Sequence, residues 1–310
     1  ASRDGGCVWF RWSAIPAGLL YSLTGRNRWL ERLTRKEISH LVRIDEERFA
    51  CFAYSRAFLI SSNGDRIEDI GPVEGGRPLS VVTDGERIIY GVYKWTEKRE
   101  PVRIWAYHLA DRIWKPLYTF KGVRHIHGVY SDPYQPHLWV TTGDLDEESM
   151  IFCFERGQAS PVRVAGGSQQ TRTVELLFTE DALFYATDAP DETNFIYRLD
   201  RDTHAFEPVQ QVGGPVYWGW QAGSTLFFST VAEPSKVNRS DAVELWGSVD
   251  EGRTWRCLAE LEKDFGHMYL FQYGKLKFPS GQGDGRNLWF TPRATKWDRK
   301  IVRIPFSEIE

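Results

Sequence analysis

Apolar residues in this chain recur in short alternating runs, broken by Gly, Pro, Asp and Asn. The 3.6-residue spacing of an amphipathic helix is almost absent, and only residues 35–41 have room for a single helical turn. Short alternating runs between turn residues predict an all-β chain. The runs also repeat. After a glycine comes an apolar strand A, then a strand B ending in small residues and a polar loop. A third strand, C, leads into a tight polar turn, and a fourth, D, carries an aromatic residue near its start.

Five such units align. The first is the loosest, at residues 41–44, 51–54, 58–61 and 67–70. The second uses 79–83, 88–93, 102–107 and 114–120. The third uses 125–130, 138–142, 151–154 and 162–164, and the fourth 173–178, 183–187, 195–199 and 206–212. The fifth uses 216–220, 226–230, 243–247 and 255–261. The pairs Gly75-Gly76, Gly166-Gly167 and Gly213-Gly214 fall at equivalent joints. The spacing matches the ~40–50 residues of a four-stranded propeller blade. Segments 268–273, 276–279, 288–292 and 301–305 supply strands for the last blade. The count is six blades if the chain ends share one, and seven if residues 8–33 and the last strand build another; six is favoured. Pairing of N- and C-terminal strands would close the ring and remove exposed edges. One β-propeller domain then spans residues 1–310.

Ser248 to Trp255 reads S-V-D-E-G-R-T-W and falls at the C–D turn of the fifth unit. Asp250 can accept from nearby backbone N–H groups, Gly252 can take φ > 0, and Trp255 can pack back over the turn. This stretch resembles the Asp-box of the sialidase-like, BNR-repeat β-propellers, and residues 19–29 look like a decayed copy. The resemblance implies the propeller fold. The sialidase arginine triad and nucleophile pair have no matching positions here. The family's R-I-P motif lies near the N-terminus, whereas Arg303-Ile304-Pro305 lies near the C-terminus. Sialidase activity is therefore not implied, and Asp250 reads as a structural clasp.

Composition narrows the picture. With 42% apolar and 26% charged residues, the 310-residue chain can bury a full core. A net charge of −3 offers no basic stripe for nucleic acid, and no apolar run approaches the ~20 residues of a membrane helix. Cys7, Cys51, Cys153 and Cys257 are widely spaced and read as buried free thiols, which leans towards a reducing compartment. The start at Ala1, without Met, reads as processed or trimmed. Aromatics reach 14% with 13 Trp; most suit strand packing, and some suit stacking on sugars.

Up-and-down connectivity puts the loop entering A and the loop leaving B on one face of the disc, opposite the C–D turns. Those A-entry and B-exit loops gather three of the seven histidines, His125, His127 and His267. His125 and His127 share one side of a strand, which suits neighbouring metal ligands, a base and its partner, or a structural pair. Gly128 beside them would allow close approach to the backbone. Arg172, with Gln169 and Gln170, suits a carboxylate or sugar hydroxyls. Tyr217 and Trp218 suit stacking on a pyranose, with Tyr217 as a proton donor. Asp144, Asp188 and Glu233 leave the B strands of three blades and are candidates for carboxylate chemistry. Arg77, Arg124, Lys236 and Tyr269 are further substrate-binding candidates, and the 233–241 insert lengthens one B-exit loop. Loop 280–287 resembles a cation loop in composition only.

In architecture and chemistry the chain also resembles the propeller polysaccharide lyases that act on uronic-acid polymers. Those enzymes use His and Tyr for proton transfer and Arg, Gln or a metal to neutralise the uronate. The resemblance implies an enzyme on an acidic glycan, a lyase or a glycoside hydrolase, with one divalent ion held by His125, His127 and His267. The alternative is a propeller that only binds a glycan or a protein.

Overall fold

The computed structural model describes residues 1–2, 6, 8–16, 27–35, 37–155, 157–238, 240–281, 283 and 285–309. Five sheets of four antiparallel strands follow one another along the chain. The first holds β1 (Ile38–Arg43), β2 (Arg48–Ala53), β3 (Arg56–Ser61) and β4 (Ile67–Pro72). The second holds β5 (Val81–Thr83), β6 (Arg87–Gly91), β7 (Val102–His108) and β8 (Ile113–Phe120). The third holds β9 (His125–Ser131), β10 (Leu138–Gly143), β11 (Met150–Phe154) and β12 (Val162–Gly166). The fourth holds β13 (Thr173–Phe178), β14 (Ala182–Thr187), β15 (Asn194–Asp200) and β16 (Phe206–Val212). The fifth holds β17 (Val216–Ala222), β18 (Thr225–Thr230), β19 (Ala242–Ser248) and β20 (Arg256–Glu262). A sixth sheet has three strands among the described residues, β21 (Lys275–Lys277), β22 (Asn287–Arg293) and β23 (Val302–Pro305). The protein is an all-β, six-bladed propeller, as the repeat predicts.

The strand sequences fit their places. The B strands β10, β14 and β18 are buried almost throughout, which explains their unbroken apolar runs. The outer D strands β8, β16 and β20 are largely exposed, and the two prolines Pro116 and Pro208 sit in such edge strands, where no partner needs their N–H. The core lies between neighbouring sheets. Phe52, Ile88, Ile104 and Ile126 join blades one to three, and Phe184, Phe228 and Trp255 join blades four and five. Each such side chain contributes roughly 1.5–3 kcal/mol on burial.

The 248–255 turn forms the expected bonds. Asp250 Oδ1 accepts from Thr254 N at 2.9 Å, and Gly252 N donates to Ser248 Oγ at 2.9 Å. Gly252 has φ +83°, and a Cβ there would lie 2.2 Å from Phe184 Cζ. Trp255 packs against Phe184 and Phe228 and donates to Gly252 O at 3.1 Å.

Three expectations need correction. Residues 268–271 form a short helix, α2 (Met268–Phe271), and the first strand of the last blade is β21. Residues 38–41 belong to β1; the helix near this point is α1 (Arg28–Thr34), capped by Asn27 Oδ1 accepting from Trp29 N and Leu30 N. Cys51 and Cys153 are buried free thiols, but Cys257 is exposed because β20 is an outer edge strand. N-terminal side chains span the seam between the first and last blades: Trp9 meets Trp289, and Trp12 packs on Phe49 and donates to Ser62 O at 3.0 Å. Arg32 of α1 adds a buried ion pair with Asp264 at 2.7 Å. Residues 19–26 of the decayed turn, with Cys7, lie outside the described residues.

Candidate functional site

The A-entry and B-exit ends of the blades meet at one end of the central channel. Blade three supplies the centre. His125 and His127 open β9, and Asp144 follows the last residue of β10. His125 Nε2 is 3.1 Å from Asp144 Oδ1, His127 Nε2 is 3.2 Å from the same oxygen, and the two Nε2 atoms are 3.1 Å apart. Three donor atoms thus form a nearly equilateral triangle. Two ligands at ~2.1 Å from a metal and ~90° apart are themselves ~3.0 Å apart, so this triangle fits one face of a coordination sphere. Two imidazoles and one carboxylate suit a divalent transition metal.

The tautomer of His127 points the same way. Its Nδ1 is 3.0 Å from Thr173 O, a carbonyl that only accepts, so Nδ1 carries the proton. Burial lowers the pKa of His127, which favours the neutral ring. Its Nε2 lone pair therefore faces the Asp144 oxygen, an arrangement that calls for a proton or a cation between them. Gly143 makes room for the ring, since a Cβ there would lie 2.5 Å from His127 Cε1. Gly128 serves packing instead: a Cβ there would meet the Tyr130 hydroxyl at 1.9 Å.

Two guanidinium groups flank Asp144. Arg124 Nη1 donates to Oδ2 at 2.8 Å while its guanidinium lies 4.0 Å over the Trp95 ring. Arg172 Nη2 lies 3.3 Å from Oδ1, and its Nε donates to Asp188 Oδ2 at 3.1 Å. Burial opposes ionisation of Asp144, but a hydrogen bond from His125 and the nearby positive charge of Arg172 hold its pKa well below the usual range. Asp188 goes the other way. Burial pushes it up to about 7 against the pull of Arg172, with Glu233 and Asp144 adding to the rise. Asp188 Oδ1 is buried without a hydrogen-bond partner among the described residues.

Glu148 holds the two loops together. It is 2% exposed, pairs with Arg99, and its Oε2 accepts from Arg124 N at 3.1 Å and Asp144 N at 3.3 Å. Gln169 Nε2 donates to Asp144 O and to Asp146 Oδ1, both at 2.9 Å. Tyr93 stacks on His125 with ring centroids 4.4 Å apart, and burial with the charges of Asp144 and Asp188 pushes its hydroxyl up to about 12. Blade five adds Tyr217, whose hydroxyl donates to Glu233 Oε2 at 2.7 Å. Burial, then Asp188 and Glu233, raise its pKa far above the ordinary value, so Tyr217 keeps its proton.

His125, His127, Asp144, Arg124, Arg172, Asp188 and Gln169 therefore form one connected cluster, and the Tyr217–Glu233 pair acts electrostatically on Asp188. Other predicted residues lie apart. Gln170 turns to Glu192 Oε2 at 2.6 Å and Tyr197 at 3.0 Å. Lys236 is exposed on its loop. His267 is exposed at the start of α2, apart from the group of His125, His127 and Asp144 that could hold a metal ion. The reason is the shifted blade six: His267 precedes a helix rather than a channel strand. Trp218 packs edge-on against Tyr217, and the Lys275 ammonium lies 4.9 Å over its ring, so that face is not free for a sugar. Arg77 donates to Arg35 O at 2.7 Å and lies 3.7 Å from Glu37. The Tyr269 side chain, Arg239 and Asp284 lie outside the described residues.

The sequence reading missed Glu37, Glu148, Lys275 and Lys277. Glu37 accepts from Lys277 at 2.6 Å and Arg293 at 3.2 Å. The K-L-K alternation of β21, with Leu276 fully buried, was the available signal for the two lysines.

No family model matches the chain, and no curated protein matches it. Solved structures do. A puromycin-hydrolyzing peptidase from Mycobacterium tuberculosis superposes with a TM-score of 0.57 at 15% identity, over 87% of this chain and 43% of that one. An oligogalacturonate lyase from Vibrio parahaemolyticus gives 0.51 at 10% identity, over 77% of this chain and 72% of that one. A putative TolB from Agrobacterium tumefaciens gives 0.50 at 12% identity, over 73% and 82%. At such identities the likeness establishes the propeller fold alone. No helix among the described residues is long and apolar enough to cross a membrane.

Proposed function

We propose that the funnel is the active site of an enzyme that cleaves an acidic glycan by β-elimination at a uronate, with a divalent cation held by His125, His127 and Asp144. The observation that carries this reading is the triangle of two histidine nitrogens and one carboxylate oxygen, flanked by two arginines. The cation, when bound, supplies positive charge that neutralises the substrate carboxylate and acidifies the adjacent C–H. Arg172, already bridging two carboxylates, is placed to take the same group. Glu233 takes the proton on C5, the electron pair forms the C4–C5 double bond, and the C4–O bond breaks. The leaving oxygen takes the Tyr217 proton, and the 2.7 Å hydrogen bond returns the proton from Glu233 to Tyr217.

Elimination is preferred to hydrolysis for one reason. Hydrolysis needs two carboxylates flanking the bond; Asp144 is committed to two histidines and two arginines and buried Asp188 to Arg172, which leaves Glu233 alone. The test is incubation with a panel of uronic and sialic glycans, with and without Mn²⁺ or Zn²⁺. Ultraviolet absorbance from unsaturated ends supports elimination. Reducing ends without that absorbance point to hydrolysis, and binding without product points to a glycan-binding propeller.

A further inference from the structure

The funnel has a second wall that this chemistry does not use. Strand β21 points Lys275 and Lys277 away from the core, where Leu276 is fully buried. Lys277 is neutralised by Glu37, which also lies 3.2 Å from Arg293 and 3.7 Å from Arg77. Glu31 takes Arg293 and Arg299. Two carboxylates thus serve four cations. Lys275 shares the field of Glu37 with them but has no carboxylate in contact: among the described residues its ammonium makes no hydrogen bond or ion pair and lies over the Trp218 ring. Crowding like charges in a half-buried wall is unfavourable unless something negative completes it. A neutral structural explanation fails for Lys275, because a Met or Leu would pack on Trp218 without the desolvation cost.

We infer that Lys275, flanked by Lys277 and Arg77 and seated on Trp218, binds a second anionic group of the substrate, so that the enzyme takes polyanionic oligosaccharides rather than single uronates. This rests on the proposed uronate chemistry at blade three. Trp218 follows Tyr217 in the chain and touches it, with ring centroids 5.6 Å apart, so the anion subsite adjoins the Tyr217–Glu233 pair. A bound anion would also restore full charge to Lys275, which burial and then Lys277 push down to about 7.

The test is calorimetric titration of the full chain with galacturonate monomer, dimer and trimer and with inorganic sulfate. Wild type should bind the longer acids roughly tenfold or more tighter than the monomer. Lys275→Met should erase that advantage and abolish sulfate binding while metal content is unchanged; Arg77→Met should weaken both. His127→Ala should lose metal and monomer binding but keep sulfate binding. If Lys275→Met binds trimer and sulfate as wild type does, or if wild type binds neither in a Lys275-dependent way, the subsite is wrong. Lys275-dependent sulfate binding without any uronate binding leaves the subsite standing and removes the glycan reading instead.

Discussion

His127 depends on one backbone carbonyl. Thr173 O fixes its proton on Nδ1 and leaves Nε2 as a ligand, and Gly143 leaves space for the ring. Glu148 is the matching positioning residue, because it accepts from the backbone of both Arg124 and Asp144. Glu148→Ala should cost about 3–5 kcal/mol, by removing the counter-charge of Arg99 and leaving two N–H groups unpaired, and should weaken metal affinity by roughly 10–100-fold. Thermal unfolding and a metal titration measure the two effects; an unchanged metal affinity would rule out the positioning role. The sequence placed His125, His127, Asp144 and Arg172 at the funnel, because blade connectivity alone says which loops meet there. It missed Glu148 and did not separate Gln169 from Gln170. Both choices are made by single 3₁₀ turns, at Asp146–Glu148 and Gln169–Thr171, which leave no periodic trace.

At the scale of elements, the blades are fastened on the face away from the site. Arg201, in the C–D turn of blade four, is buried and pairs with Asp132, with Nη2 to Oδ1 at 3.1 Å, and donates to Thr179 O. This joins blades three and four. Gln221 acts similarly between blades four and five by accepting from Phe178 N at 2.8 Å and donating to its carbonyl at 3.2 Å. Arg201→Ala should destabilise by about 3–5 kcal/mol, because Asp132 is left buried and unpaired; Arg201→Ala with Asp132→Ala should recover part of it. Denaturant unfolding decides, and a single variant within error of wild type would remove the clasp. Gly252→Ala should also destabilise, since its φ and the Phe184 ring both oppose a Cβ. Five blades were legible because buried B strands and tight C–D turns alternate regularly. The sixth was misread because the apolar run 268–273 satisfies a strand pattern, while α2 is set by its packing against α1. That slip displaced His267 into the site and kept Lys275 and Lys277 out of it.

For the whole molecule, the central channel concentrates groups far from their ordinary charge states. Glu175, half-buried on β13, has its pKa pushed up to about 8 by burial, against backbone N–H groups of Gly219, at 3.4 Å, and Leu176. A carboxyl raised in the folded state favours folding while protonated. Its contribution is therefore full below the unfolded value of 4.5 and is lost as pH rises through about 8. Glu175→Gln should make the protein more stable than wild type between pH 8 and 9, by roughly 1–3 kcal/mol after allowance for screening, and equal to it near pH 4. Parallel stability curves at all pH values would contradict this. The ring shape was readable from repeat and turn, but what the ring encloses is set by side chains from six blades meeting at one axis, which no local pattern encodes. The proposed activity rests on the trio at that axis. Elemental analysis of the purified protein, stripped and then reloaded with Mn²⁺ or Zn²⁺, measures it directly. One ion per chain in wild type and none in His125→Ala, His127→Ala or Asp144→Asn is the predicted result. Equal metal content in wild type and all three variants would contradict it.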